Sequence, residues 1–208
     1  MATWTELEVE WETDLRAWAK SMDEMDAEDA AAEAEFKAKL KAAPAEAKAS
    51  VRAHVDAVRA KNDSARQAIN QRLEGQIDKL NAEAEKLDAQ IATAKDKQKS
   101  ELEARQAALR TKHEQAMAQL KANQAAQLKS FEMQINDMQE RAAAAKAAVQ
   151  ANVTAQLAAV RTKVTETKQE IQRHHAADKA KAAEHKAEVD RAMADIREGL
   201  KKAAAELK

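Results

Sequence analysis

The sequence predicts an all-α protein of very long amphipathic helices, coiled-coil or helical-bundle in type. Three observations carry that expectation. Helix breakers are almost absent, with two Gly and one Pro in 208 residues. The commonest residues are strong helix formers, about a quarter of the chain being Ala, with Glu, Lys, Arg and Gln behind it. Large apolar residues are scarce, but they recur at helical spacing. Leu, Ile, Val and Phe make up only about 14% of the chain, a share that by itself suggests disorder. A net charge of −1 and the regular spacing both oppose that reading.

The first element has a start signal and a stop signal. Thr3 and Glu6 form a capping-box pattern, and Thr5 with Glu8 is an overlapping alternative. Pro44, in Lys41-Ala42-Ala43-Pro44-Ala45-Glu46, disfavours helix at the residue before it and suits the first turn of a new one. A short N-terminal helix over about residues 4–42 is therefore expected to be broken from a long body at Pro44. At 1.5 Å per residue that first helix is roughly 60 Å long. Its apolar stripe is Trp4, Leu7, Trp11, Leu15, Trp18, Met22 and Met25, continued by Ala32, Phe36 and Leu40, and Asp29 alone interrupts it.

After Pro44 the stripe runs through Val51, Val55, Val58, Asn62, Ala65, Ile69, Leu73, Ile77, Leu80, Ala84, Leu87 and Ile91. It continues through Leu102, Leu109, Leu120, Phe131, Ile135, Met138, Val149, Val153, Val160, Val164 and Ile171, and ends with Val189, Ile196, Leu200 and Leu207. The mean repeat is close to 3.6 residues without an abrupt reset, which predicts continuity or shallow hinges over 45–208. Weak turn candidates are Lys61-Asn62-Asp63-Ser64, Ala122-Asn123-Gln124, Asn136-Asp137 and Arg173-His174-His175. A turn at 122–125 would fold the body into a hairpin of two similar arms. Two regions follow: an acidic Trp-bearing helix, 1–43, and a basic Ala-rich helical body, 44–208.

Charge divides along the same line. Residues 1–35 carry twelve acids against Arg16 and Lys20, a net of −10, while the remainder carries +9. Surfaces of opposite sign and this size attract, within a chain or between chains. No run approaches ~18 apolar residues, so no membrane span is predicted. The start MATWTELEVEWE has neither a basic region nor an apolar core, so no signal peptide is expected. The absence of Cys fits a reducing, cytoplasmic setting. Asn62 and Asn152 match the glycosylation pattern, which without a secretory signal reads as chance.

No catalytic constellation is visible, so no enzyme and no cofactor are expected. There is no thiol, and Gly75 and Gly199 are isolated, which leaves no phosphate-cradling loop. His174 and Asp178, one helical turn apart, with His175 and His185 nearby, are a weak metal pattern, and no metal is expected there. His113, Asn62, Gln98, Gln124 and Thr167 read as polar residues on the stripe that set register. Basic residues of the body are interleaved with acids, and Phe131 is its one stacking aromatic past residue 44, so specific nucleic-acid binding is not expected.

Stretches such as Ala142-Ala143-Ala144-Ala145-Lys146-Ala147-Ala148-Val149 resemble phasins, apolipoproteins and desiccation-associated helical proteins in composition, with no diagnostic motif. The expected function is that of a structural scaffold that self-assembles through helix packing into a homo-oligomer or filament. The interface residues expected are the large apolar members of the stripe from Trp4 to Ile171, leaving out Leu102, Leu109 and Leu120. The expected partners are further copies of the chain and, through the Trp helix, another helical protein. An alternative is an amphipathic coat on a lipid or hydrophobic granule surface. The narrow stripe, punctuated by Asn, Gln and His, favours helix partners over a lipid face.

Overall fold

A computed structural model of the chain describes residues 4–42, 45–176 and 179–207. The side chains of 4–11, 36–37, 39–42, 45–49, 96–97, 179–180 and 182 lie outside that description. The described residues form five helices and no strand: α1 (Trp4–Ala42), α2 (Ala45–Thr93), α3 (Asp96–Ala143), α4 (Ala147–Ala176) and α5 (Lys179–Glu206). The break at Pro44 falls between α1 and α2; residues 43 and 44 themselves lie outside the described set.

The body after Pro44 is not continuous, which overturns the continuity expected over 45–208, and helix α3 runs unbroken through 122–125, so the alternative of a hairpin turn there does not form either. Asn62 and the Asn136-Asp137 pair also lie within helices, and Arg173-His174-His175 occupies the last turn of α4. The chain breaks instead at Ala94-Lys95 and at Ala144-Ala145-Lys146. These breaks need no Gly or Asn, because no described residue has a positive φ. Each preceding helix tightens at its end: Ala94 N–H donates to the Ile91 carbonyl (3.4 Å), Ala144 to Arg141 (3.2 Å) and Ala145 to Ala142 (3.0 Å). The Lys95 and Lys146 carbonyls then accept the first bonds of the helices that follow.

Periodicity could not reveal these breaks. Ile91 to Leu102 and Met138 to Val149 are steps of 11 residues, about three helical turns, and Ile171 to Val189 is 18, five turns. The apolar phase is kept across each interruption. Within a helix the buried positions instead alternate three and four, as in Val153, Leu157, Val160, Val164, Thr167, Ile171 and His174 of α4. That spacing averages 3.5, and the longer bridging steps raise the chain-wide mean to 3.6.

The described residues fall into two compact units, 1–123 and 124–208. In the first, α1 lies antiparallel on α2: Asp14 pairs with Gln76, Asp26 with Arg66, and Glu28 with Lys61. Trp18 and Met25 of α1 pack with Ile69, Leu73 and Ile77 of α2 and with Ala116 and Leu120 of α3. Farther along, Leu87 meets Leu102 and Leu109, with Leu80, Ile91 and Ala94 packed around them. Burying Trp18 contributes about 2–3 kcal/mol by area.

The second unit is a three-helix core. Leu128, Phe131, Ile135, Met138 and Ala142 of α3 meet the α4 series and, from α5, Val189, Met193, Ile196, Leu200 and Ala203. The helices alternate in direction, since Asn152 bonds Glu206 while Lys163 pairs with Asp195, and Asn136 bonds Arg161 while Glu132 pairs with Lys168. Among the described residues no helix is long and apolar enough to cross a membrane.

The two glycines of the chain occupy opposite environments. A Cβ on Gly199 of α5 would lie 2.5 Å from Val160 Cγ2 of α4, whereas one on Gly75 of α2 would meet nothing within 4 Å. Val160 is buried and stiff at χ1, so it cannot yield cheaply. Gly75→Ala should therefore raise stability by about 0.5–1 kcal/mol through helix propensity. Gly199→Ala should lower it by a net of about 1–2 kcal/mol, because overpacking outweighs the same propensity gain. Thermal or urea unfolding of the two variants should move in opposite directions; a common direction would contradict the close approach of α4 and α5.

Candidate functional site

The apolar stripe proposed as an interface is largely internal to the two units. Trp18, Met25, Val55, Ile69, Leu73, Ile77, Leu87, Phe131, Ile135, Met138, Val153, Val160, Val164 and Ile171 are buried. Leu15, Met22, Val51, Val58, Leu80, Ile91 and Val149 are half-buried. The side chains of Trp4, Leu7, Trp11, Phe36 and Leu40 fall outside the description. Leu128, Leu157 and Met193 belong to the same core without having been singled out in the sequence. Their signal was present, since each stands three or four residues from its neighbours on the stripe.

Polar residues occupy stripe positions in the first unit and build a charged layer between α1, α2 and α3. Arg66 is 1% exposed. Its Nη2 meets Asp26 Oδ1 at 2.6 Å and Asp29 Oδ2 at 3.4 Å. Asn62, one turn earlier on α2, donates from Nδ2 to Asp29 Oδ1 (2.9 Å) and to the Met25 carbonyl (3.3 Å). Asn123 of α3 donates to the Arg66 carbonyl (3.0 Å) and to Asn70 Oδ1 (2.6 Å). Asp29, the one interruption of the α1 stripe, is thus the residue that receives α2. Burial pushes its carboxyl above the usual aspartate range, against the lowering pull of Asn62 and Arg66.

The layer is incompletely satisfied. Arg66 Nε and Nη1, Asn62 Oδ1 and Asn123 Oδ1 have no hydrogen-bond partner within the protein. Such groups cost stability relative to an apolar layer. What they supply is register: a slip of α1 along α2 would strand Arg66 without a carboxylate. Of the other polar residues read on the stripe, Gln124 and Thr167 are buried, His113 is half-buried and Gln98 is exposed.

The second unit holds a mixed cluster near the end of the α4–α5 pair. Glu170 of α4 faces His185 and Glu188, which are i,i+3 on α5. His185 Nδ1 contacts Glu170 Oε1 and lies 3.5 Å from Glu188 Oε2. Glu170 Oε2 accepts from Arg173 at 2.9 Å. Burial works against ionisation of Glu170, but the hydrogen bonds with Glu188, His185 and Arg173 outweigh it and hold the carboxyl below its ordinary range. His174 is buried one turn from Glu170; burial, then the nearby charges of His185 and Lys186, lower its pKa. The pairing of His174 with Asp178 considered from sequence lies outside the described residues. The partners that matter come from α5, which a linear spacing rule along α4 does not reach.

No family model, no curated protein and no solved structure matches this chain.

Two outcomes follow for the charged layer. Arg66→Ala should destabilise by about 3–5 kcal/mol, leaving Asp29 buried without its cation, whereas Arg66→Met with Asp29→Leu should be neutral or stabilising by about 1–4 kcal/mol. Equilibrium denaturation of both proteins decides it, and equal losses would contradict a desolvation cost. The pH dependence has a definite sign. Asp29 has a folded pKa above its ordinary value, so its contribution is full below that value and is lost as pH rises through the folded one. As pH falls from about 7 to about 4, the wild-type chain should gain stability relative to Asp29→Asn. A difference that is flat or reversed with pH would show that the Arg66 pairing dominates.

Proposed function

We propose that the protein is a structural scaffold, non-enzymatic, that assembles through helix packing, and that α1 is the element passed between copies. The observation that carries this reading is the α1–α2 junction. Its contacts are register-specific and of opposite charge: Asp26 and Asp29 on Arg66, Glu28 on Lys61. Yet α1 ends at Ala42 and α2 begins at Ala45, so two residues join two helices of 39 and 49 residues. Short hinges invite exchange of an element between identical chains, because every contact made within one copy can be made in trans.

The same reading accounts for the burial of the stripe. With the large apolar residues among the described side chains buried or half-buried, that part of the surface offers little for lateral adhesion, and exchange requires none. The acidic α1 against a basic remainder speeds encounter between copies at low salt. A reducing, cytoplasmic setting goes with this reading, given the absence of Cys. A coat on lipid or granules would instead require the three-helix core of the second unit to open toward an apolar phase.

Light scattering behind size exclusion tests the proposal on the full chain. The mass should exceed that of the 22.9 kDa monomer at micromolar concentration, and assembly should slow as sodium chloride rises from about 0.05 to about 0.5 M. Deleting residues 1–35, or replacing Trp18 and Met25 with Ala, should shift the mass toward monomer. Two differently tagged copies mixed in solution should co-purify after incubation and not at once. A monomer under all these conditions sinks the scaffold reading, and co-flotation with oil droplets would replace it with the coat.

A further inference from the structure

The cluster on α4 and α5 has the composition of a metal site. Glu170, His185 and Glu188 each present one ligand atom, and these atoms all lie within 4.8 Å of one another. They come from two antiparallel helices of one unit, so the ligands are held by helix backbone rather than by loops. A His-x-x-Glu pair on one helix facing a Glu on its neighbour places an imidazole nitrogen and two carboxylate oxygens around one point. Ligands about 2.0–2.2 Å from a shared ion stand about 3–4 Å apart, within reach of small rotations of these side chains.

The surroundings of the three residues fit a ligand set. Arg173 holds Glu170 Oε2 at 2.9 Å and leaves Oε1 toward the cluster, the arrangement in which an outer hydrogen bond orients a ligating carboxylate. Glu188 is 49% exposed along its side chain, and the cluster borders a groove of about 410 Å³ between α4 and α5, so an ion has a route in. Opposing these are the nearby cations Arg173, Lys186 and Arg191, which reduce affinity for any divalent ion.

We propose that Glu170, His185 and Glu188 bind a divalent transition ion of the zinc class that clamps α4 to α5. One imidazole beside two carboxylates suits zinc, whereas magnesium and calcium favour all-oxygen sets with several waters. The site is independent of the exchange of α1, since all three residues belong to the second unit.

The test uses the full chain, stripped of metal and titrated with zinc chloride against a chromophoric chelator. One zinc per chain should bind saturably, and zinc should raise the unfolding temperature reversibly on chelation. His185→Gln and Glu188→Gln should each weaken binding by about 10- to 100-fold or more, the range seen when even outer partners of a metal site are lost. Glu184→Gln, on the same helix and outside the cluster, should leave affinity unchanged. Helicity by circular dichroism identifies any variant that fails to fold; Glu188, the most exposed of the set, then carries the comparison. Absence of saturable zinc binding, unchanged affinity in the folded His185 or Glu188 variant, or equal preference for magnesium overturns the site.

Discussion

The structure depends first on how little large apolar material the chain has. With about 14% Leu, Ile, Val and Phe, no thick core can form, and each such residue must be placed against another to count. Long helices with the buried positions spaced three and four apart achieve this, because one stripe meets the next along its whole length. Ala between them keeps backbones close while adding little hydrophobic energy per residue. Gly199 against Val160 is the extreme case, where even a methyl group would not fit. The fold is therefore held by many modest contacts, and the placement of a few Trp, Phe and Leu residues decides where the units form.

A thin seam has weak control over register, since sliding one Ala-rich stripe along another changes little. The polar layer supplies the missing control. Arg66 is desolvated and cannot give up its charge, so it requires the carboxylates of α1 opposite it. Asp26 meets that requirement from an exposed position and Asp29 from a buried one. Asn62 and Asn123 extend the layer by bonding backbone carbonyls of neighbouring helices, which carry register information that apolar contacts do not. The unpartnered atoms of the layer are the cost of that specificity.

Helix class, the extent of α1 and most core positions were legible in the sequence, because all three rest on local propensity and periodicity. The helix reversals were not. Turns that keep every φ negative can be built from Ala and Lys, and insertions matching whole numbers of turns leave the phase intact. The charged layer was half legible. Asn62 and the interrupting Asp29 stood out on their helices, but Arg66 looked like one basic residue among many until α1 was laid against it. The Glu170–His185–Glu188 cluster was not legible at all as a set. Its members are separated by 15 and 3 residues, and only the antiparallel return of α5 on α4 brings the first to the other two.

That inward turn of the stripe changes what assembly can mean for this chain. Side-by-side adhesion of finished units needs an exposed apolar patch of several hundred Å², and the large apolar side chains described here are buried or half-buried. Exchange of α1 needs only that its contacts be broken and remade. Those contacts are of two kinds: Trp18 and Met25 contribute apolar burial that salt does not weaken, while Glu28–Lys61 is exposed and screened at ordinary ionic strength. Arg66 stands between these extremes, a fully buried cation whose release from Asp29 carries a desolvation cost either way. In the exchange we propose, salt would govern how fast copies meet through the exposed charges, while the buried pairings, Trp18 and the Arg66 layer, would govern how long an exchanged helix stays.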